Sequence, residues 1–208
     1  MEFLHVFGGE SGGGNALAVA LDGQPADAAS RQRVAAELGV SETVFVDDPA
    51  TGRVRIFTPA TELPFAGHPL VGTAWLLAQH GYPADVMRPP AGEVPAYRSD
   101  GLSWVAGRPE WAPGFSWIEL SSPEEVEALS PPTAGLEAYW AWVDEGVVRA
   151  RVFPVDVGVP EDEATGSAAV VLASELGRAV EIHQGVGSVI HAAPRPDGLV
   201  DIGGRVSA

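Results

Sequence analysis

Short apolar runs punctuated by Gly and Pro set the pattern of this chain, and their periods separate strands from helices. Residues 3–7 (FLHVF), 16–21 (ALAVAL) and 43–47 (TVFVD) read as buried strands. A turn at Asp48-Pro49-Ala50-Thr51-Gly52 leads into a returning strand, where Val54 and Ile56 alternate with Arg55. From about 26 to 38 the period is helical, and Gly39 is placed to cap its C-terminus. A second helix is predicted over 69–79, with Pro69 in its first turn and Gly81 as the stop. A third is predicted over 167–176. These last two are apolar nearly all round, the pattern of a buried helix. Residues 82–116 are rich in Pro and Gly and read as short strands and loops. Ser122 opens a short acidic helix over 123–129, and 138–143 with 147–153 form a hairpin around Asp144-Glu145-Gly146. Short strands fill the remainder.

One unit occurs twice. Arg55-Ile56-Phe57-Thr58-Pro59 runs through a loop to Gly67-His68 and an apolar helix. Arg151-Val152-Phe153-Pro154 runs through a loop to Gly166-Ser167 and another. The Arg-to-Gly spacing is 12 in the first copy and 15 in the second. A strand, loop, glycine and buried helix once per half predicts a pseudo-symmetric, two-lobed protein. We divide it at 1–95 and 96–208.

Composition narrows the function classes. The 208 residues carry 12 Lys+Arg against 28 Asp+Glu, a formal charge of −16. Such a chain has no electrostatic footprint for nucleic acid or for an anionic membrane surface. No uninterrupted apolar run reaches the roughly 20 residues of a membrane span. The N-terminus lacks the basic and apolar segments of a signal peptide. There is no cysteine, which excludes disulfide staples, thiolate metal sites and thiol catalysis. The expectation is a soluble cytoplasmic protein.

The chemistry concentrates at the two buried helices. The first turn of any helix has unpaired N–H groups, and a preceding glycine lets a ligand approach them closely. Two such starts, at Gly67 and Gly166, facing one cleft would hold a carboxylate without Arg or Lys. His68 stands at one mouth and Ser167 at the other, with Thr165 and Asp162 just before it. Each has a structural alternative when taken singly: Ser167 or Thr165 as an N-cap, His68 as a core histidine, Asp162 as part of a solvated acidic turn. Glu42 flanks the apolar Thr43-Val44-Phe45-Val46, where partial desolvation would raise its pKa towards the range of a general acid or base; the alternative is a surface edge-strand charge. His68, Asp162 and Ser167 also stand in an order seen in some serine proteases. No G-x-S-x-G elbow is present, since Ala168-Ala169 follow Ser167, and a triad requires an Asp bonded to the His. The five histidines show no metal-ligand spacing, and the glycine-rich Gly8–Gly14 loop has no lysine for a phosphate.

Together the motifs resemble one family. Gly14-Asn15-Ala16-Leu17-Ala18-Val19 looks like its G-N-x-x-A-V motif, and Ser41-Glu42-Thr43-Val44-Phe45 its S-E-T-x-F motif. Phe57-Thr58-Pro59 with Glu62 to Pro69 matches F-T-P…E-x-x-F-x-G-H-P. Arg151 to Phe153 with Glu161 to Ala168 matches R-x-F…E-D-x-x-T-G-S-A, and Gln184-Gly185 a late Q-G. The chain resembles the phenazine-biosynthesis PhzF-like family of the diaminopimelate-epimerase-fold superfamily. The resemblance implies an α+β (α/β) fold of two similar lobes, each a barrel-like sheet around a central helix, with the active site between them. It implies a cofactor-independent isomerase, often a homodimer, that moves a proton on a small carboxylate-bearing metabolite. In the best-known member a Glu does so on a dihydro-hydroxyanthranilate. By the same resemblance Glu42 is that residue, His68, Asp162 and Ser167 complete the catalytic set, and Asn15, Gly67, Thr165 and Gly166 bind substrate. Lacking cysteine, the chain cannot run the two-cysteine mechanism of other enzymes of this fold. Three features depart from the pattern: a shorter chain, Glu163 in place of proline after E-D, and the glycine-rich N-terminal loop. A non-catalytic binding module that keeps the fold is the alternative from another class.

Overall fold

The computed structural model describes residues 1–10 and 12–208, so Ser11 of the glycine-rich loop lies outside the described residues. β1 (Glu2–Gly8) is followed by β2 (Asn15–Ala20), α1 (Ala28–Leu38), β3 (Glu42–Asp48), β4 (Arg53–Phe57), β5 (Glu62–Leu63), α2 (Gly67–Gln79), β6 (Val86–Met87), β7 (Val94–Ser99) and β8 (Leu102–Gly107). A second run contains β9 (Ser116–Glu119), α3 (Pro123–Glu127), β10 (Leu136–Asp144), β11 (Val147–Pro154), α4 (Gly166–Leu176), β12 (Val180–Gln184), β13 (Ser188–Pro194) and β14 (Val200–Ser207).

The two runs repeat one topology. A strand crosses through a helix to a parallel neighbour, β2 to β3 and β9 to β10. Each neighbour turns back in a hairpin, β3–β4 and β10–β11. A central helix follows, then three antiparallel strands, β6–β7–β8 and β12–β13–β14. Parallel pairing of β11 with β12 curls the second half round its helix; in the first half a single parallel bridge, Arg53 to Arg88, occupies the same place. β14 pairs with both β1 and β8, which joins the halves into one continuous sheet.

The repeat extends to side chains. Arg55 grips Glu62 through two guanidinium nitrogens and lies over Phe57. Arg151 grips Glu161 in the same way and lies over Phe153. Each glutamate stands five residues before the glycine that starts a central helix. The two-pronged pairing fixes direction as well as distance, so it aims the chain from the hairpin into the helix.

The central helices are buried as their composition predicts. Leu70, Val71, Leu76 and Leu77 of α2 and Val170 and Leu172 of α4 are in the core. Each such side chain contributes roughly 1.5–3 kcal/mol by leaving water. Gly72 sets the depth of α2: a Cβ there would lie 2.6 Å from Leu17 and 2.7 Å from Val6. Both helices start earlier than the sequence pattern suggests, at Gly67 and Gly166. Pro69 sits third in α2, where its missing N–H has no helical partner to lose. The smaller helices follow their caps: Asp27 accepts from Ser30 N at α1, Gly39 closes it in the left-handed conformation, and Ser122 accepts from Glu125 N at α3. β7 and β8 pack on α2. We therefore propose that the division between lobes falls near Gly107, beyond the 95/96 position expected from sequence. Among the described residues no helix is long and apolar enough to cross a membrane.

Candidate active site

α2 and α4 begin against each other. A Cβ on Gly67 would lie 2.7 Å from the Gly166 backbone, and one on Gly166 would lie 2.9 Å from both Gly67 Cα and His68 N. No other residue type allows this approach. Neither helix has a side chain capping its N-terminus, and neither has an acidic residue in its first turn. Two positive dipole ends and their N–H groups thus meet with no side-chain cap and no carboxylate in either first turn.

The parallel pairing of β2 with β3 brings Asn15 and Glu42 alongside these helix starts. Asn15 Nδ2 donates to Asp162 Oδ1 at 2.7 Å and to the Ala164 carbonyl at 2.9 Å, and lies 3.3 Å from His68 Nδ1. Ser41 Oγ donates to Asn15 Oδ1 at 3.1 Å, which fixes the amide orientation. Thr165 occupies the N-cap position of α4, but its hydroxyl turns away from the helix and donates to Asp162 Oδ2 at 2.7 Å. Gln184 ties the segment together: Nε2 donates to the Asp162 carbonyl and to Thr165 Oγ1, and Oε1 accepts from Thr165 N.

Glu42 and His68 are arranged differently. Glu42 Oε2 lies 3.3 Å from His68 Nε2, yet neither atom makes an aligned hydrogen bond. Exposure is 9% for Glu42, 2% for His68, 3% for Asp162 and 7% for Ser167, so the group is screened from water. Burial, helped by the nearby Asp162 charge, pushes Glu42 well above the usual carboxylate range. Burial pulls His68 down to about 3. The separation is that of an ion pair, but both shifts favour neutral forms, and a buried ion pair would cost several kcal/mol per ion in desolvation. Burial thus disfavours the charged form of each group, raising the carboxyl and lowering the imidazole. Asp162 is also raised by burial, but hydrogen bonds from Thr165 and Asn15 act against the rise.

Every residue singled out from sequence falls in this one region. Asn15, Glu42, His68, Asp162 and Thr165 are linked by the contacts above, and Gly67, Gly166 and Ser167 form the helix starts. The structure does not assemble a serine-protease triad: Asn15 stands between His68 and Asp162, and among the described residues no hydrogen bond joins Ser167 to His68. Gln184 and Ser41, motif residues with no role expected from sequence, also hold this region together. Gln184 ends the strand just before the Gly185 turn, and a polar side chain there was the only signal of its buried partners.

A family model described as phenazine biosynthesis-like protein (PhzC-PhzF) matches residues 4–133. A trans-2,3-dihydro-3-hydroxyanthranilate isomerase of Pseudomonas fluorescens is 34% identical, with 83% of this chain and 81% of that protein covered. The chain belongs to the phenazine biosynthesis-like (PhzC/PhzF) family. The isomerase of the same name from Pseudomonas aeruginosa is 32% identical over 88% of this chain and 84% of its own. Among solved structures, a PhzC/PhzF protein of Clostridium difficile superposes with a TM-score of 0.80 at 19% identity, covering 99% of this chain and 95% of its own. A probable proline racemase of Agrobacterium radiobacter gives 0.67 at 11%, covering 99% and 89%. At such identities these two show the fold alone, which this PhzF-family chain shares with proline-racemase-like epimerases.

Proposed function

We propose that this chain is a cofactor-independent isomerase that moves a proton between two carbons of a small carboxylate-bearing metabolite, with Glu42 as the carrier. The observation that carries the reading is the Glu42–His68 pair: buried, with its facing Oε2 and Nε2 atoms free of aligned hydrogen bonds, beside two uncapped helix starts. The substrate carboxylate binds the N–H groups of the first turns and the Ser167 hydroxyl. Ionised Glu42 takes a proton from one carbon, the substrate's electrons shift along the conjugated system, and the Glu42 carboxylic acid returns the proton to a second carbon on the same face. Nothing is gained or lost overall. A carboxyl group held above its ordinary pKa is a stronger base, which narrows the gap to a weakly acidic C–H. Exclusion of water keeps the proton on the carrier between steps. His68 lies beside the Glu42 oxygen and orients it, while Asp162, Asn15 and Thr165 hold the opposite wall. The expectation of a homodimer rests on the family resemblance, and that of a cytoplasmic protein on the sequence pattern.

The test is proton NMR of trans-2,3-dihydro-3-hydroxyanthranilate with the protein in D₂O, beside a thermal-shift panel of small carboxylates. Isomerisation by wild type and none by Glu42→Gln is the expected result. Stabilisation by carboxylates with no turnover of any would favour the binding-module reading instead.

A further inference from the structure

We propose that Glu163 is a positioning residue: its carboxylate anchors the turn at 185–188 and, through Ser188 and Gly14, holds Asn15 against Asp162. The inference rests on the active-site reading above. Glu163 Oε1 accepts from Val186 N and from Ser188 Oγ, both at 2.7 Å. Ser188 Oγ in turn accepts from Gly14 N at 2.9 Å. Gly14 precedes Asn15, whose amide donates to Asp162 Oδ1 at 2.7 Å, and Asp162 precedes Glu163. The hydrogen bonds and the two peptide links close a ring through three distant segments.

The glycines of this region have their explanation in the same ring. A Cβ on Gly185 would occupy the Glu163 carboxyl group itself. A Cβ on Gly13 would lie 2.5 Å from the Val186 carbonyl oxygen, and Gly9 N donates to the Gly187 carbonyl. Gly9 and Gly13 of the glycine-rich N-terminal loop thus lie on the turn that Glu163 holds. Two features that depart from the family motif, the loop and Glu163, meet at one point. A proline after Asp162 could accept none of these bonds.

The charged and titratable groups around Asp162 are Glu42 from β3, His68 of α2 on the far side of Asn15, Glu163 on its own segment, and the Arg151–Glu161 pair next to it in sequence. Substitution at 163 therefore changes both a charge near Asp162 and the anchoring of Asn15, and the experiment separates them. Glu163→Gln keeps an acceptor oxygen and removes the charge; Glu163→Ala removes both. These two variants have equal charge, so any difference between them comes from the anchor. With trans-2,3-dihydro-3-hydroxyanthranilate as probe, kcat in the Ala variant falls to about one tenth of that in the Gln variant or lower, with KM changed less than about threefold. In carboxyl-¹³C NMR, Asp162 titrates higher in the Ala variant than in the Gln variant by about half a pH unit, because the bond donated by Asn15 is loosened. Ser188→Ala, which keeps the Glu163 charge and cuts the ring one step further on, lowers kcat in the same way and supplies the test should Glu163→Ala fail to fold. Gln and Ala variants with the same kcat and the same Asp162 midpoint, or a Ser188→Ala variant altered only in melting temperature, would overturn the proposal. If wild type does not turn over the probe, the proposed activity fails on that substrate, and the Asp162 midpoints still decide the role of Glu163.

Discussion

Asp162, beside the start of α4, accepts a hydrogen bond at each carboxylate oxygen, while Glu42 Oε2, beside the start of α2, accepts none. Both are buried, and both belong to halves built on the same plan. The surroundings make them different groups. Donors around Asp162 stabilise its charged form and fix it in place; desolvation without donors raises the Glu42 carboxyl and leaves its Oε2 unpartnered. On the proposed reading, one carboxyl group is structure that faces the substrate and the other moves the proton. The repeated topology supplies the two helix starts, and the differences between the halves supply the asymmetry that chemistry needs.

Removing the proton carrier is the most severe way to break this contrast. Glu42→Gln keeps the shape and removes the transferable proton, and turnover falls by about 10²–10⁴-fold or more in steady-state assays. The same substitution has the opposite effect on stability. A carboxyl group whose folded pKa is raised costs nothing well below its unfolded value and costs progressively more as pH rises through the folded value. Glu42→Gln therefore leaves stability at pH 7 unchanged or raises it by about 1 kcal/mol in chemical denaturation. Asp162→Asn breaks the other side: it places an amide N–H₂ where one of two donors needs an acceptor, and stability falls by about 1–3 kcal/mol. Gly166→Ala tests the contact between the helix starts, where a Cβ has no room, and costs about 1–3 kcal/mol through forced separation of α2 and α4. The smallest effect is the pH dependence of His68. Its folded pKa is depressed to about 3, so its contribution to stability is complete above the unfolded value near 6.5 and is lost as pH falls towards 3. Relative to His68→Asn, wild type loses about 1 kcal/mol between pH 7 and pH 5.5 in matched denaturation curves.

Much of this site was legible in the sequence because the buried central helices are apolar all round and each begins with a glycine. That pattern predicts both the two lobes and the paired helix mouths. Glu42 stood out because an apolar strand follows it directly. The parts that stayed hidden depend on long-range pairing. Nothing local to Asn15 shows that its amide bonds to Asp162, 147 residues away. Thr165 has the composition of an N-cap and sits at the cap position, yet Asp162 captures its hydroxyl. β8 follows the 95/96 division expected from sequence but packs on α2, and β14 returns from the C-terminal half to pair with it. Glu163 reads as one more charge in an acidic turn until the turn at 185–188 folds against it.

The central claim is that burial without donors raises Glu42 while donors hold Asp162. Carboxyl-¹³C NMR titration of the free protein measures both at once. The account predicts that Glu42 titrates well above the ordinary value of 4.5 and above Asp162. A Glu42 midpoint at or below 4.5, with Asp162 the higher of the two, would contradict it.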